Sequence, residues 1–279
     1  MSPKTNPNQE VSKPAYNPSG HSFSGWLGGK SQLARTIIDM MPEHHHYCEV
    51  FGGAGWVLFK KTVSKLETIN DINGDLVNLY RVFKYHPDAL VQEFETQLIS
   101  RDEFERLKAS NSQTLTDIQR AARFYYLLRN CFGAKISCPN YTSLVDRLPL
   151  LKLGDELKST LSKIHQRLQK VNIENRNFDT LIQKMDRPTT LFYLDPPYYN
   201  CENYYGEDFF SRDDFSKLND ILRNIKGKFI LSLNDVPEVR ELFKGFYFQT
   251  KKIRWSFNAQ SEDENNGKEI IITNFKIPD

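Results

Sequence analysis

Apolar positions along the chain switch between two periods. Leu33, Ala34, Ile37, Ile38 and Met41 recur at helical spacing over residues 31–41. Residues 47–51 form a short apolar run that ends in glycines, which predicts a strand entering a turn. Residues 54–63 predict a helix, 67–71 a second strand, and 75–83 a helix with Leu76, Leu79, Tyr80 and Phe83 facing inward. This β-α-β-α alternation implies a parallel sheet.

The rhythm breaks after residue 85. Residues 86–170 carry helical patterns and no convincing strand. One helix is predicted over 117–131. Another over 154–170 has Leu157, Leu161, Ile164 and Leu168 on one face and Lys158, Lys163 and Arg167 off it. The irregular stretch 132–149 lies between them. Alternation resumes with a strand at 171–174, a helix at 178–185 and a strand at 191–194 that runs into Asp195-Pro196-Pro197-Tyr198. A helix bearing Phe215, Leu218, Leu222 and Ile225 follows, then a strand at 229–233 and a short helix at 236–243. Residues 247–253 and 269–275 are suited to pair antiparallel. The expected organisation is a free tail over 1–20, a catalytic α/β domain over 21–85 and 171–279, and a helical insertion over 86–170.

Composition narrows the class. A chain of 279 residues with 39% hydrophobic and 26% charged positions can bury a normal core without a disulfide or metal staple. Net charge is only +2, so its distribution matters more than its sum. Residues 117–170 hold ten Lys or Arg against four Asp or Glu, which points towards a polyanion. A solvated helix face gives the same excess. Cys48, Cys131, Cys138 and Cys201 form no C-x-x-C pair, as expected in a reducing cytoplasm. His44, His45 and His46 are adjacent, and adjacent side chains converge poorly on one ion, so no metal site is expected. No apolar run approaches the ~20 residues that span a membrane, and residues 1–20 have no apolar core of a signal peptide.

Two constellations carry chemistry. Glu49-Val50-Phe51-Gly52-Gly53-Ala54-Gly55 places glycines between a strand and a helix, where backbone can approach a ligand. Leu58 stands where a dinucleotide fingerprint has its third glycine. Asp71 ends the next strand, twenty residues after Phe51, where an acid commonly takes ribose hydroxyls. Together these predict nucleoside binding. In Asp195-Pro196-Pro197-Tyr198 the prolines remove two N–H donors and leave carbonyl acceptors beside a carboxylate. Such a site grips an exocyclic amine, and Tyr198 offers a ring face for a planar base. On this reading only the ring matters, and Phe serves in its place.

In these motifs and their order the sequence resembles the Dam-type, class alpha, N6-adenine DNA methyltransferases, from Gly25 to Phe275. Gly25-Trp26-Leu27-Gly28-Gly29-Lys30 is similar to the family's W-x-G-G-K element, and Tyr47 to Gly55 to its cofactor loop. Asn70-Asp71-Ile72-Asn73 with Leu76 to Tyr80 is similar to its D-I-N segment. Ala121 to Asn130 resembles the start of its target-recognition region; Leu233-Asn234-Asp235 and Glu269 to Asn274 resemble later elements. The resemblance implies a Rossmann-like sheet with a reversed hairpin and a helical target-recognition insertion. It implies S-adenosylmethionine as methyl donor and adenine in double-stranded DNA as acceptor, with the base flipped out of the duplex.

Catalysis then falls to Asp195, Pro196, Pro197 and Tyr198. Trp26, Lys30, Glu49, Phe51, Gly53, Gly55, Asp71, Asn177, Phe178 and Asp195 are expected to bind the cofactor. Lys30 and Glu49 fall at its methionine part, Asp71 at its ribose and Phe178 at its adenine. Arg129, Asn130, Lys135 and Ser137 are expected at DNA. Ser137 stands where members that read GATC carry Arg, which argues against that target. Asn177 replaces the usual Asp, and Ser261-Glu262-Asp263-Glu264 is acidic where the family often has a basic loop. An RNA base methyltransferase, or a catalytically dead DNA-binding protein on the same fold, remains the alternative. The enzyme is expected to be a monomer or weak dimer in the cytoplasm.

Overall fold

The computed structural model describes residues 13–23, 30–131, 139–141, 151, 153–202, 209–254 and 266–277. Seven strands form one sheet: β1 (His46–Glu49), β2 (Leu66–Asn70), β3 (Val171–Glu174), β4 (Thr190–Leu194), β5 (Lys228–Asn234), β6 (Tyr247–Arg254) and β7 (Asn266–Thr273). Their order is β3-β2-β1-β4-β5-β7-β6. The first five run parallel, whereas β7 is antiparallel to both β5 and β6, so the reversed hairpin is present. The fold is α/β and Rossmann-like, as expected.

Period-two alternation divides the sheet between two cores. Tyr47, Ile69, Leu191, Tyr193, Ile230 and Ile271 face α1 (Ala34–Met40), α2 (Trp56–Lys60) and α3 (Gly74–Tyr85). Cys48, Phe192, Leu194, Phe229, Leu231 and Ile272 face α8 (Phe178–Met185), α9 (Arg212–Asn224) and α10 (Pro237–Leu242). Strands covered on both faces read as continuous apolar runs. Asn73 starts α3 by accepting the Asp75 and Leu76 amides.

Residues 86–168 supply α4 (Pro87–Glu95), α5 (Arg101–Ala109), α6 (Asp117–Asn130) and α7 (Gly154–Leu168). A capping box of Thr116 and Gln119 opens α6. These helices do not close a core of their own. Phe94, Phe104, Tyr125, Leu161 and Leu168 are continuous with the core that begins at the sheet. Tyr125 of α6 meets the rings of Phe83 and Phe94 at 5.8 and 5.9 Å. Arg167 of α7 ties the layer to β2 through Glu67, which also holds the buried Lys61.

Residues 13–20, expected to belong to a free tail, are packed. They run along the end of α2, where Ala15 and Thr62 exchange hydrogen bonds and Asn17 donates to the Lys60 carbonyl at 2.6 Å. Tyr16 fixes the segment by offering its ring to Arg35 and Lys60. Among the described residues no helix is long and apolar enough to cross a membrane.

Candidate active site

Strand order reverses between β1 and β4, both central and parallel, so the crevice at their carboxyl ends is the natural ligand position of such a sheet. Glu49 ends β1, and Asp195 follows β4 by one residue. A cleft of about 680 Å³ opens there, lined by Lys30, Glu49, Phe51, the loop 52–57, Asp71, Ile72, Asn73, Tyr193, Asp195, Pro197, Phe209 and Phe210.

The glycine loop is built for close approach. Gly53 and Gly55 have φ of 47° and 64°, the left-handed region where a side chain is strained. A Cβ on Gly55 would lie 2.9 Å from the Tyr80 hydroxyl. That hydroxyl donates to the Gly53 carbonyl at 2.7 Å, and the Gly52 amide donates to Asn70 at 2.7 Å. Asp71 accepts the Gly53 amide on Oδ2 and the Asn73 amide on Oδ1, each at 2.9 Å. Burial raises its pKa against those amide contacts.

Glu49 is 2% exposed and accepts the Tyr47 hydroxyl at 2.8 Å and the Leu58 amide at 2.9 Å, both on Oε2. Burial pushes its pKa up from 4.5 to about 8. Phe51 meets Phe178 and Phe210 at ring separations of 5.7 Å. Phe178 does not line the cleft. It supports Phe51 and Phe210 from behind, while Asn177 is exposed at the start of α8. The aromatic wall is instead made by Phe51, Phe209 and Phe210.

The Asp195–Tyr198 loop is held from three sides. Asn234 at the end of β5 clamps Tyr199, accepting its amide at 2.9 Å and donating to its carbonyl at 3.0 Å. Ser232 donates to Asp195 Oδ1 at 3.1 Å, and Tyr193 meets the same serine at 3.1 Å. Lys30 Nζ lies 2.7 Å from Asp195 Oδ1 and 3.3 Å from Glu269 Oε1. It also donates to the Tyr198 hydroxyl at 3.2 Å, and that hydroxyl donates to Glu269 Oε2 at 3.1 Å. Burial opposes the Lys30 charge, but the Asp195 and Glu269 carboxylates overcome it and hold its pKa well above the usual value. Two carboxylates sharing one ammonium, both desolvated, have raised pKa values.

Sequence reasoning therefore placed Asp195, Lys30, Glu49, Phe51, Gly53, Gly55 and Asp71 around one cleft, and the structure brings them together there. Lys30, expected at the methionine part of the cofactor, is paired with Asp195. Two corrections follow. The Tyr198 hydroxyl is engaged twice, so its ring is not the whole of its contribution. Arg129 and Asn130, expected to face DNA, are 6% and 3% exposed at the end of α6, and Asn130 donates back to the Tyr126 carbonyl at 2.9 Å. Trp26, Lys135, Ser137 and residues 261–264 lie outside the described residues. Sequence reasoning missed Ser232, Asn234 and Glu269 as supports of the loop. The available signal was a polar residue interrupting an apolar strand.

Residues 26–258 match the sequence profile described as D12 class N6 adenine-specific DNA methyltransferase. The chain belongs to that family. It is an adenine-specific DNA methyltransferase by this membership, and known proteins agree. A type II methyltransferase, M1.LlaDCHI of Lactococcus lactis subsp. cremoris, is 28% identical over 91% of this chain and 95% of its own length. The type II methyltransferase M.MjaIII of Methanocaldococcus jannaschii is 25% identical over 91% and 98%. A DNA adenine methylase of Vibrio cholerae is 23% identical over 90% and 94%.

The cleft of this methyltransferase fits a nucleoside sulfonium cofactor. It combines a Cβ-free cradle at Gly55, a strand-end acid at Asp71, an aromatic wall and a second buried acid at Glu49.

Proposed function

We propose that the protein methylates N6 of adenine at a specific sequence in double-stranded DNA, with S-adenosylmethionine as donor. The observation that carries this reading is the position of Asp195. It stands in the wall of the same cleft as the glycine loop and Asp71. The Gly53 and Gly55 backbone, Asp71, Glu49 and the Phe51–Phe210 wall would hold the cofactor, with Lys30 beside them and Phe178 backing the wall. When bound, S-adenosylmethionine supplies an electrophilic methyl group on sulfur.

The chain's own part is to present the amine. The Lys30 and Ser232 contacts converge on Asp195 Oδ1, and among the described residues no donor reaches Oδ2. That oxygen and the Pro196 carbonyl each accept one amino hydrogen. This aims the nitrogen lone pair outward, and the carboxylate stabilises the positive charge the nitrogen gains. Burial raises the Asp195 pKa, which also makes it a better acceptor for the proton the nitrogen sheds. Pro196 and Pro197 stiffen the turn, and Tyr198 faces the flipped base. The step needs no metal, because the sulfonium that carries the methyl is already cationic and departs as a neutral thioether.

Residues 86–170 serve as the target-recognition region in this reading, with Lys135 and Ser137 as its DNA-facing candidates. The free, buried Cys48 suits a cytoplasmic enzyme, which we take to act as a monomer or weak dimer. Asp195→Ala tests the mechanism by single-turnover methyl transfer to duplex DNA and to a matched RNA. A fall of about 10²–10³ in rate is expected, with cofactor affinity retained. A variant within threefold of wild type would exclude Asp195 as the amine's partner. Modification-sensitive sequencing of DNA from a methylation-free host then reads out the target.

A further inference from the structure

Glu269 reaches the catalytic loop from β7, far along the chain. It lies opposite Asn234 of β5 and is followed by Ile270, Ile271 and Ile272, all fully buried. Glu269 itself is 1% exposed. A carboxylate in an apolar strand costs free energy unless it is paired and hydrogen-bonded. Here every partner belongs to the catalytic machinery. Oε2 accepts the Tyr198 hydroxyl at 3.1 Å, and Oε1 stands 3.3 Å from Lys30 Nζ. Lys30 in turn pairs with Asp195 at 2.7 Å and donates to the Tyr198 hydroxyl at 3.2 Å. The ring closes through the first and last residues of the Asp195–Tyr198 turn. A purely structural carboxylate would not need both of its oxygens on groups that serve that turn.

We propose that Glu269 is a positioning residue for methyl transfer, acting through Lys30 on the charge of Asp195 and through the Tyr198 hydroxyl on the ring that receives the base. This role rests on the reading of Asp195 as the amine's partner. With all three groups ionised, Asp195, Glu269 and Lys30 carry one net negative charge beside the reacting nitrogen. Without Glu269 the pair Lys30–Asp195 is neutral. It then attracts a developing cation less strongly. The groups that face Glu269 are Lys30, Asp195 and Tyr198, with Tyr193 of β4 behind them. Lys251 of β6 is its cross-strand neighbour and makes no described ion pair with it.

Two variants separate this role from mere packing. Glu269→Gln keeps the shape and an acceptor for Tyr198 but removes the charge. Tyr198→Phe keeps the ring but breaks the contact from the other side, without touching the strand. Both are read by single-turnover methyl transfer across pH, with cofactor and DNA dissociation constants measured alongside. Glu269→Gln is expected to lower the plateau rate at least tenfold while both dissociation constants stay within twofold. Its acid limb should move to lower pH, because Lys30 then belongs to Asp195 alone and favours its ionised form. Tyr198→Phe should lower the rate at least threefold, again without a change in cofactor affinity. A Glu269→Gln enzyme with the wild-type plateau and acid limb overturns the proposal. If that variant fails to bind cofactor, Tyr198→Phe decides, and a wild-type rate and pH profile there overturns it. Asp195→Ala run in parallel tells the two failures apart: activity retained there removes the underlying reading, whereas activity retained only in the Glu269 variant removes this role alone.

Discussion

If the cofactor binds as proposed, Glu49 links its binding to proton release. Its carboxyl is buried at the floor of the cleft, and burial outweighs the Tyr47 hydroxyl and the Leu58 amide to raise its pKa from 4.5 to about 8. At ~1.4 kcal/mol for each tenfold, holding it ionised in this buried position costs on the order of 5 kcal/mol. At pH 7 it is therefore about nine-tenths protonated. An α-ammonium group placed against it restores the ordinary carboxylate range, so binding should release close to one proton. Calorimetry in two buffers of different ionisation enthalpy counts that proton. Affinity should rise nearly tenfold per pH unit from pH 5 to 7, where an α-amino group of pKa about 7.7 stays charged. Glu49→Gln should release none and bind with a flat profile. The free enzyme supplies a second readout. A carboxyl with a raised folded pKa binds more protons folded than unfolded between pH 4.5 and 8. Wild-type stability should fall as pH rises through that window, and the variant should lose that slope. Equal proton release by wild type and Glu49→Gln would refute the argument.

Three further outcomes follow from other contacts. Glu67→Gln leaves Lys61 and Arg167 without their shared buried carboxylate. It should cost about 3–5 kcal/mol in denaturant titration, and a loss below 1 kcal/mol would contradict the pairing. Gly55→Ala forces a side chain to φ 64° with its Cβ 2.9 Å from the Tyr80 hydroxyl. It should lose roughly 1–2 kcal/mol and weaken cofactor binding in calorimetry, whereas an unchanged dissociation constant would mean that the loop is not the cradle. Arg129→Ala should lower the melting temperature and leave the salt dependence of DNA binding alone. A slope reduced by about one would return Arg129 to the DNA interface.

Local chemistry explains what was legible. The apolar run 191–194 and the helical stripe of residues 157–168 follow from burial on two faces or one, so the pattern survives without knowledge of partners. The glycine loop and Asp195–Tyr198 are contiguous, and their chemistry is visible in a few letters. Phe209, Phe210 and Glu269 were not, because no spacing rule connects them to the cleft. Lys30 and Glu269 meet only because the sheet order sets β7 beside β5 and β5 beside β4. Arg129 was misplaced by a regional charge count, which ignores direction. It stands four residues after Tyr125 and seven after Ala122, on the buried stripe of α6. Helical phase would have found it.

The position of Lys30 resolves an apparent conflict in the site. A cation 2.7 Å from the Asp195 carboxylate favours its ionised form, yet a cation so placed also repels the charge that would grow on the amine in the proposed reaction. Neutralising Asp195 by burial alone would be worse, since a protonated carboxyl offers less to that charge. The second carboxylate reconciles the two demands. Coulomb energy falls as the inverse of distance, so the attractions at 2.7 and 3.3 Å differ by only about a fifth. The ammonium is therefore shared between Asp195 and Glu269, not owned by either. Asp195 keeps enough of the interaction to stay ionised, and the cluster keeps a net negative charge facing the nitrogen. The strand that carries Glu269 runs antiparallel to β5. The reversed hairpin, which gives the sheet its family topology, is thus also what brings the second carboxylate to the end of the sheet where the first one works.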